Sequence, residues 1–493
     1  MKKKCKNFIL IILCLAMTSC MLSGCSQTPE TTSYDITETE TQEVVIDPME
    51  IEYVPTYSFD YIGGKDVMPI TGYFGPCQTS YSYNGNNQPS NLRDEYFQMI
   101  AECGINLITY PQIDYKTAKS SVMKMLDLAD KYHIGMCVFD SNVMYDYDIT
   151  KDEAVSKMQN YLTHPACVGF FLYDEPGNST FIPQRTHMSQ LVNISEVLNK
   201  ELGMFTYLNL SGAYVKDAEA FAGYVKEYCE TQNQNYVSFD RYPSFSPNRK
   251  TKSQNDYIWN MALVRQYANE YDLPWWTYIG AGAQWNDEQK YFESTAYYPD
   301  EGEFDWNVNT ALAFGTKGLS YFAMSQPYWF AYGKEEGVFD FERNSLIGAY
   351  GNKNRWYYYA QDINKHIAAI DEVLMNSVSK GVIAALDEET YARDMKDLTL
   401  DNYVDTSKLF IEGTSWRELS GVQGNAIIGC FNYYGKTALY VVNYEFDYAQ
   451  KIDLSFVKEC NIRVVQAAET SYVKTDRLIL DMPAGDGVLL VFE

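Results

Sequence analysis

At 493 residues the chain exceeds what one ordinary hydrophobic core supports, so two folded domains and a tail are expected. Hydrophobic residues make up 46% and aromatic residues 15%, ample for a packed globular protein. A net charge of −26 argues against nucleic acid as a partner, because phosphates demand basic patches, and suits a protein facing an extracellular medium.

The N-terminus carries an address. Lys2, Lys3 and Lys4 precede an apolar run from Phe8 to Met17, followed by Leu22-Ser23-Gly24-Cys25. A basic start, a short apolar stretch and small residues form a secretory signal peptide, too short to remain as a membrane-spanning helix. Leu-Ser-Gly-Cys resembles the bacterial lipobox, which implies lipidation of Cys25 and tethering at the extracellular face of a bacterial cell membrane. Residues 1–25 are therefore read as a lipoprotein signal peptide and 26–55 as a linker. Thr31 to Thr41 is rich in Thr and Glu and has no basic residue, so it cannot build a core and extends by self-repulsion.

Apolar runs then recur at roughly 30 to 40 residue spacing, the period of a βα unit. They are Val67–Phe74, Ile105–Tyr110, Ile134–Phe139, Val168–Tyr173, Met204–Leu210, Tyr236–Phe239, Trp275–Ile279 and Leu319–Met324. Helical patterns separate them. Asn91–Cys103 places Leu92, Tyr96, Met99 and Ile100 on one face and ends at Gly104. Thr150 with Glu153 reads as a capping box ahead of Ala154–Leu162. Thr186–Leu202, Ala218–Glu230, Asp256–Tyr271 and Val308–Phe314 follow. Eight alternating units predict a (β/α)8 TIM barrel over 56–377. No glycine fingerprint follows the first strand, which argues against a doubly wound sheet.

Beyond the helical stretch Asn354–Met375 the period changes. Short strands at Ala426–Phe431, Thr437–Tyr444, Ile462–Ala467, Leu478–Leu480 and Gly487–Phe492 are separated by turn residues. A C-terminal antiparallel β-sandwich of about 115 residues is expected over 378–493.

Seven of the 11 cysteines follow Cys25, scattered and odd in number, so buried thiols are expected rather than a disulfide framework. The four histidines, His133, His164, His187 and His366, show no metal-ligand spacing. With no phosphate-binding glycine loop either, no metal and no cofactor are expected. Oligomeric state is not legible.

A barrel enzyme keeps its chemistry at the carboxyl ends of its strands, so each tip can be read. The fourth is the most informative. Cys167 to Pro176 reads Cys-Val-Gly-Phe-Phe-Leu-Tyr-Asp-Glu-Pro, a buried parallel strand ending in two acids, with a proline that stops the ladder. An isolated Asp-Glu-Pro reads as readily as an acidic surface turn. The other tips add Tyr73, Tyr110, Asp140, Asn209, Asp240 with Tyr242, Trp285, and Gln326 with Trp329. Together they place acids, amides and aromatic rings on one rim. That chemistry fits glycoside hydrolysis, in which one protonated and one charged carboxyl flank the bond. Asp174 beside Glu175 offers the like charge that separates two pKa values. Trp275, Trp276, Trp285, Trp306 and Trp329 are candidates for stacking on sugar rings, with plain core packing the alternative.

On these residues the barrel, about 60–375, resembles the clan of (β/α)8 glycoside hydrolases that includes family 42-type galactosidases, whose acid/base glutamate ends the fourth strand in Asn-Glu-Pro or a relative of it. Leu312 to Phe322, and the terminal run Gly485 to Leu490, are also similar to that clan. The resemblance implies a carbohydrate substrate with Glu175 as general acid/base. Two departures stand out. Asp174 replaces the clan's asparagine, and no carboxylate lies between Trp275 and Trp285, where the clan's nucleophile ends the seventh strand. Asp240 is the first candidate for the second carboxylate and Glu293 the next, with capping or ion pairing the alternative for Asp240. Two other readings stay open. A substrate-assisted N-acetylhexosaminidase would use Asp174-Glu175, and an inactive barrel would only bind glycans. A transporter's solute-binding protein is disfavoured, because such receptors are two-lobed.

Overall fold

The computed structural model describes residues 52–83, 86–111, 119–245, 253–283, 297–326, 345–396, 398 and 403–493. Eight parallel strands close into a barrel in the order β1-β8-β7-β6-β5-β4-β3-β2. They are β1 (Ile70–Tyr73), β2 (Leu107–Tyr110), β3 (Gly135–Val138), β4 (Cys167–Asp174), β5 (Phe205–Ser211), β6 (Val237–Asp240), β7 (Trp275–Gly280) and β8 (Leu319–Phe322). β1 closes the ring, pairing Ile70 with Leu319 on one side and Thr71 with Leu107 on the other. All eight expected runs are strands, with ends that differ from the expected ones by at most three residues.

Helices on the outside follow the local signals. Gly104 takes φ +82° just past α1 (Asp94–Glu102), and α2 is Lys119–Lys131. Thr150 and Glu153 exchange both bonds of a capping box at the start of α3 (Lys151–Leu162). α4 is Ala218–Thr231 and α5 is Ser253–Glu270. α6 (Glu301–Ala313) begins two turns earlier than its apolar pattern, because Asp300 and Glu303 form a second capping box there. The stretch expected as one helix over Thr186–Leu202 is three pieces, Met188–Leu191, Val192–Ser195 and Glu196–Glu201. α7 is Arg355–Met375.

The amino-terminal mouth of the barrel is plugged by rings. Trp276 is fully buried and packs on Phe205 with centroids 5.8 Å apart, on Tyr236 at 4.8 Å and on Phe59 at 6.3 Å. A Cβ on Gly318 would sit 2.7 Å from the Trp276 ring, so only glycine lets β8 start so close to it. Trp276 is thus a core residue of the barrel floor, at the end opposite the acidic rim.

The C-terminal part is one curled antiparallel sheet of seven strands: β9 (Ser377–Ala385), β10 (Leu419–Gln423), β11 (Ala426–Tyr433), β12 (Lys436–Asn443), β13 (Gln450–Gln466), β14 (Glu469–Met482) and β15 (Gly487–Phe492). Their order is β9-β11-β12-β15-β13-β10, with β14 paired to β13. Alternation along the middle strands serves two cores. Ile427, Phe431, Ala438, Tyr440, Val442, Leu489 and Val491 join the barrel's core, whereas Ile428, Cys430, Leu439, Val441, Val488 and Leu490 build a second one inside the curl. Burial on both faces explains why these strands read as continuous apolar runs. β9 and β10 escaped the sequence reading, and the helices Glu388–Asp394 and Thr406–Leu409 interrupt what was expected to be helix-free.

The junction is polar as well as apolar. Tyr440 donates to Asn309 at 2.6 Å, and Asn309 donates to the Gly485 carbonyl at 2.8 Å. Buried Lys317 donates to the carbonyls of Leu374 and Ser377, capping the end of α7 with a cation. Burial pulls its ammonium down to about 7. At Gly429 the sheet touches α6 so closely that a Cβ would lie 2.3 Å from the Ala313 carbonyl oxygen. Gly429→Ala is expected to cost about 1–3 kcal/mol, read as a lower melting temperature. An unchanged melt would mean the sheet does not dock there.

Candidate active site

The acidic rim is built from the tips of β4, β5 and β6. β4 runs in extended form to Asp174, and the Glu175 amide still donates to the Asn209 carbonyl at 2.9 Å. The backbone then turns left-handed at Glu175, with φ +49°. For a residue with a Cβ this costs about 1–3 kcal/mol and persists only where surroundings impose it. Pro176 ends the ladder, and its carbonyl accepts from Tyr224 of α4 at 2.6 Å. The bend brings the Glu175 side chain to Asp240, at the end of β6.

Asp240 hydrogen-bonds Glu175 directly. Burial, then the charges of Glu175 and Asp174, hold the Asp240 carboxyl far above the usual carboxylate range. Asp174 is pushed up to about 6 by burial and by Glu175, against the pull of its donors. Tyr73 donates to Asp174 Oδ2 at 2.7 Å, and Asn209 Nδ2 donates to Asp174 Oδ1 at 3.3 Å and to Asp240 Oδ1 at 3.1 Å. Arg185 forms an ion pair with Glu175 and also donates to its carbonyl at 3.2 Å. Of the three carboxyls only that of Glu175 is paired with the guanidinium.

Tyr73→Phe removes one of the donors that stabilise ionised Asp174. Its titration is expected to rise by about one pH unit from its value near 6, the scale of one hydrogen bond to a charged group. Infrared titration of the carboxyl band, compared with Asp174→Asn, reads the shift. An unmoved band would show that Tyr73 does not bond that carboxylate.

Of the residues expected at the site, Glu175, Asp174, Asp240, Asn209, Tyr73 and Tyr242 come together. Tyr242 is half-buried, and its hydroxyl is held far up by burial and by the charges of Asp240, Asp174 and Glu175. Tyr110 is buried beside them, stacked on Tyr73 with centroids 4.9 Å apart. It and Tyr73 fill the barrel mouth rather than offering an open face to a sugar. Others fall elsewhere. Asp140 caps the helical turn Ser141–Met144 through the Asn142 amide and accepts from Tyr161 at 3.1 Å, a structural role. Gln326 is buried, with its backbone amide bonded to the Ile347 carbonyl. Trp276 lies on the floor, as described. Trp285, Trp329, Glu293 and Cys25 lie outside the described residues.

Sequence reasoning missed Arg185, Tyr224 and Ser238. Arg185 had a signal, being the only Arg or Lys between Lys157 and Lys200, on the loop that follows the acidic pair. Tyr224 and Ser238 had none, because helix and strand patterns do not say which buried hydroxyl faces the site. Among the described residues, no set of three His, Cys, Asp or Glu side chains is arranged to hold a metal ion.

No family model matches the chain, and no curated protein matches its sequence. Among solved structures it is similar to a β-galactosidase from the psychrophilic Marinomonas ef1, at 10% identity over 85% of this chain and 100% of that one, with a TM-score of 0.46. It is similar to a GH42 β-galactosidase from G. stearothermophilus at 10% identity, 90% and 100% coverage and a TM-score of 0.44. A family 51 α-L-arabinofuranosidase from Bifidobacterium longum is similar at 11% identity, 90% and 98% coverage and a TM-score of 0.42.

Proposed function

We propose that this chain hydrolyses O-glycosidic bonds of extracellular oligo- or polysaccharide while tethered through a lipid on Cys25. The observation that carries the reading is the placement of Asp240 beside an ion-paired Glu175 on the rim of a closed parallel barrel, with burial and like charge raising the Asp240 carboxyl. Glycoside hydrolysis needs that division of labour, one carboxyl to protonate the leaving oxygen and one to stay charged. Burial and the charges of Glu175 and Asp174 favour the protonated form of Asp240, while Glu175 is ion-paired with Arg185. On this reading Asp240 is the acid of the pair and Glu175 its charged partner.

The two carboxyls touch, closer than the ~5–5.5 Å of retaining or the ~6.5–9.5 Å of inverting enzymes. A sugar entering the site must part them. The same contact favours a second reading, a glycan-binding barrel in which the acids serve only each other. The substrate-assisted reading is weakened, because both Asp174 oxygens are engaged by Tyr73 and Asn209.

A panel of aryl glycosides with and without N-acetyl groups tests the proposal. Turnover lost in Glu175→Gln across the panel, and in Asp240→Asn on the members with poor leaving groups, supports it. Turnover confined to N-acetylated sugars and dependent on Asp174 would replace it with the substrate-assisted route. No turnover, with sugar binding retained, would establish the binding barrel. For the tether, Cys25→Ala should release the protein from the membrane fraction.

A further inference from the structure

Asn209 is the hub of the acidic rim. Its backbone carbonyl accepts from Glu175, and its side-chain amide donates one N–H each to Asp174 and Asp240. The residue is buried, at 1% exposure, so bulk water does not choose which way the amide faces. Turned over, it would set its oxygen against two carboxyls and leave both without a donor. The amide oxygen is anchored on its other side by Ser238 of β6, whose hydroxyl donates to Asn209 Oδ1 at 2.9 Å. Ser238 Oγ lies 3.2 Å from the Tyr207 hydroxyl, which lies 2.6 Å from that of Tyr278. Three strands, β5, β6 and β7, thus aim one amide.

We propose that Ser238, through the Asn209 amide it orients, is a positioning residue that sets how readily Asp240 gives up its proton. This rests on the glycosidase reading for its consequence in turnover, but not for its effect on the carboxyls. Ser238 touches no substrate and acts only through Asn209. With the amide locked, a donor faces Asp240 and eases its ionisation, so the proton can leave for a substrate oxygen. With the lock removed, Oδ1 loses its anchor and the amide can shift toward Asp174, drawing its donor away from Asp240, so that the proton is held more tightly. The groups around Asp240 are Glu175 and Asp174 from β4, Asn209 from β5, Tyr224 from α4 and Tyr242 beyond its own strand, with Arg185 engaged on Glu175. Of these, Tyr224 gives its proton to the Pro176 carbonyl, Arg185 is held by Glu175, and the two acids raise the barrier further.

The test compares Ser238→Ala with Ser238→Thr in two measurements on the full-length chain. The first is infrared titration of the Asp240 carboxyl, assigned by the band lost in Asp240→Asn, which needs no activity. Ser238→Ala is expected to raise its midpoint by about one pH unit, the loss of one hydrogen bond to a charged group, and Ser238→Thr to return it. The second is the pH profile of kcat on an aryl glycoside. The limb that reports Asp240 should move by the same amount, with kcat falling about tenfold and KM little changed. An unmoved midpoint in Ser238→Ala overturns the proposal, and so does a Ser238→Thr variant that behaves like Ser238→Ala. A shifted midpoint in a chain with no turnover supports the positioning role and rejects the glycosidase reading alone. Should Ser238→Ala not fold, Asn209→Leu, which removes the amide itself, must raise the midpoint, and an unchanged value there equally overturns the proposal.

Discussion

Glu175→Gln is expected to slow hydrolysis by about 10²- to 10⁴-fold, the range for loss of one acid–base group, and to move the melting temperature by no more than a few degrees. The asymmetry follows from where the side chain sits. Its ion pair with Arg185 is partly solvated, at 19% and 41% side-chain exposure, and such pairs contribute about 1 kcal/mol or less. Its neighbours are already engaged, Asp174 by Tyr73 and Asn209 and Asp240 by Asn209, and do not take over its place. The substitution also removes one of the two charges that add to burial in holding up Asp240, so the Asp240 titration should fall while staying raised by burial and Asp174. Leaving-group ability then separates the two roles. If Glu175 is the charged partner, Glu175→Gln is slow even on activated aryl glycosides, whereas Asp240→Asn recovers on them because a good leaving group needs no proton. The reverse pattern would return Glu175 to the acid role that the resemblance implies. Full activity in Glu175→Gln would reduce it to a rim residue.

Asp240→Asn is expected to remove turnover on unactivated glycosides and at the same time to stabilise the fold at neutral pH. A carboxyl whose value is raised by folding binds its proton more tightly in the native state. Its stabilising effect is whole below the unfolded carboxylate value near 4, and is lost as pH rises through the native one. Asp174, near 6, and Asp240, far above the carboxylate range, both behave this way. At pH 7 the native protein therefore bears a crowded, buried acid cluster that the unfolded chain does not. Replacing one member by an uncharged amide should add about 1–2 kcal/mol, the gain usual for relieving one unfavourable site. Melting curves from pH 4 to 8 check this, with wild type losing stability toward high pH more steeply than the variant. A variant that melts lower than wild type at pH 7 would show that Asp240 is a net stabilising partner instead.

Local chemistry wrote much of this architecture into the sequence. Eight apolar runs are legible because a parallel strand buried on both faces needs no alternation. Thr150 with Glu153 is legible because a capping box involves only four consecutive residues. Asp174-Glu175-Pro176 is legible because the acids adjoin the strand that positions them. The long hairpin of β13 and β14 is legible only in pieces, at Ile462–Ala467 and Leu478–Leu480. Its turn places Ala467 and Ala468 at φ +49° and +64°, a conformation usually announced by Asn-Gly. Most of β14 is solvent-exposed, so the rest of it has no apolar run to betray it.

Which groups serve the site was decided by the tertiary structure. Asp140 and Asp240 both end a barrel strand, yet one caps a helix and the other meets Glu175 65 positions away in sequence. Trp275 and Trp276 are neighbours whose roles no local pattern separates. The left-handed turn at Glu175, the arrival of Arg185 and the proton on Asp240 likewise depend on groups that only the closed barrel brings together. Periodicity and capping act over a few residues and survive in the bare sequence. Burial and the meeting of like charges arise from the folded whole, and they decide which carboxyl keeps its proton.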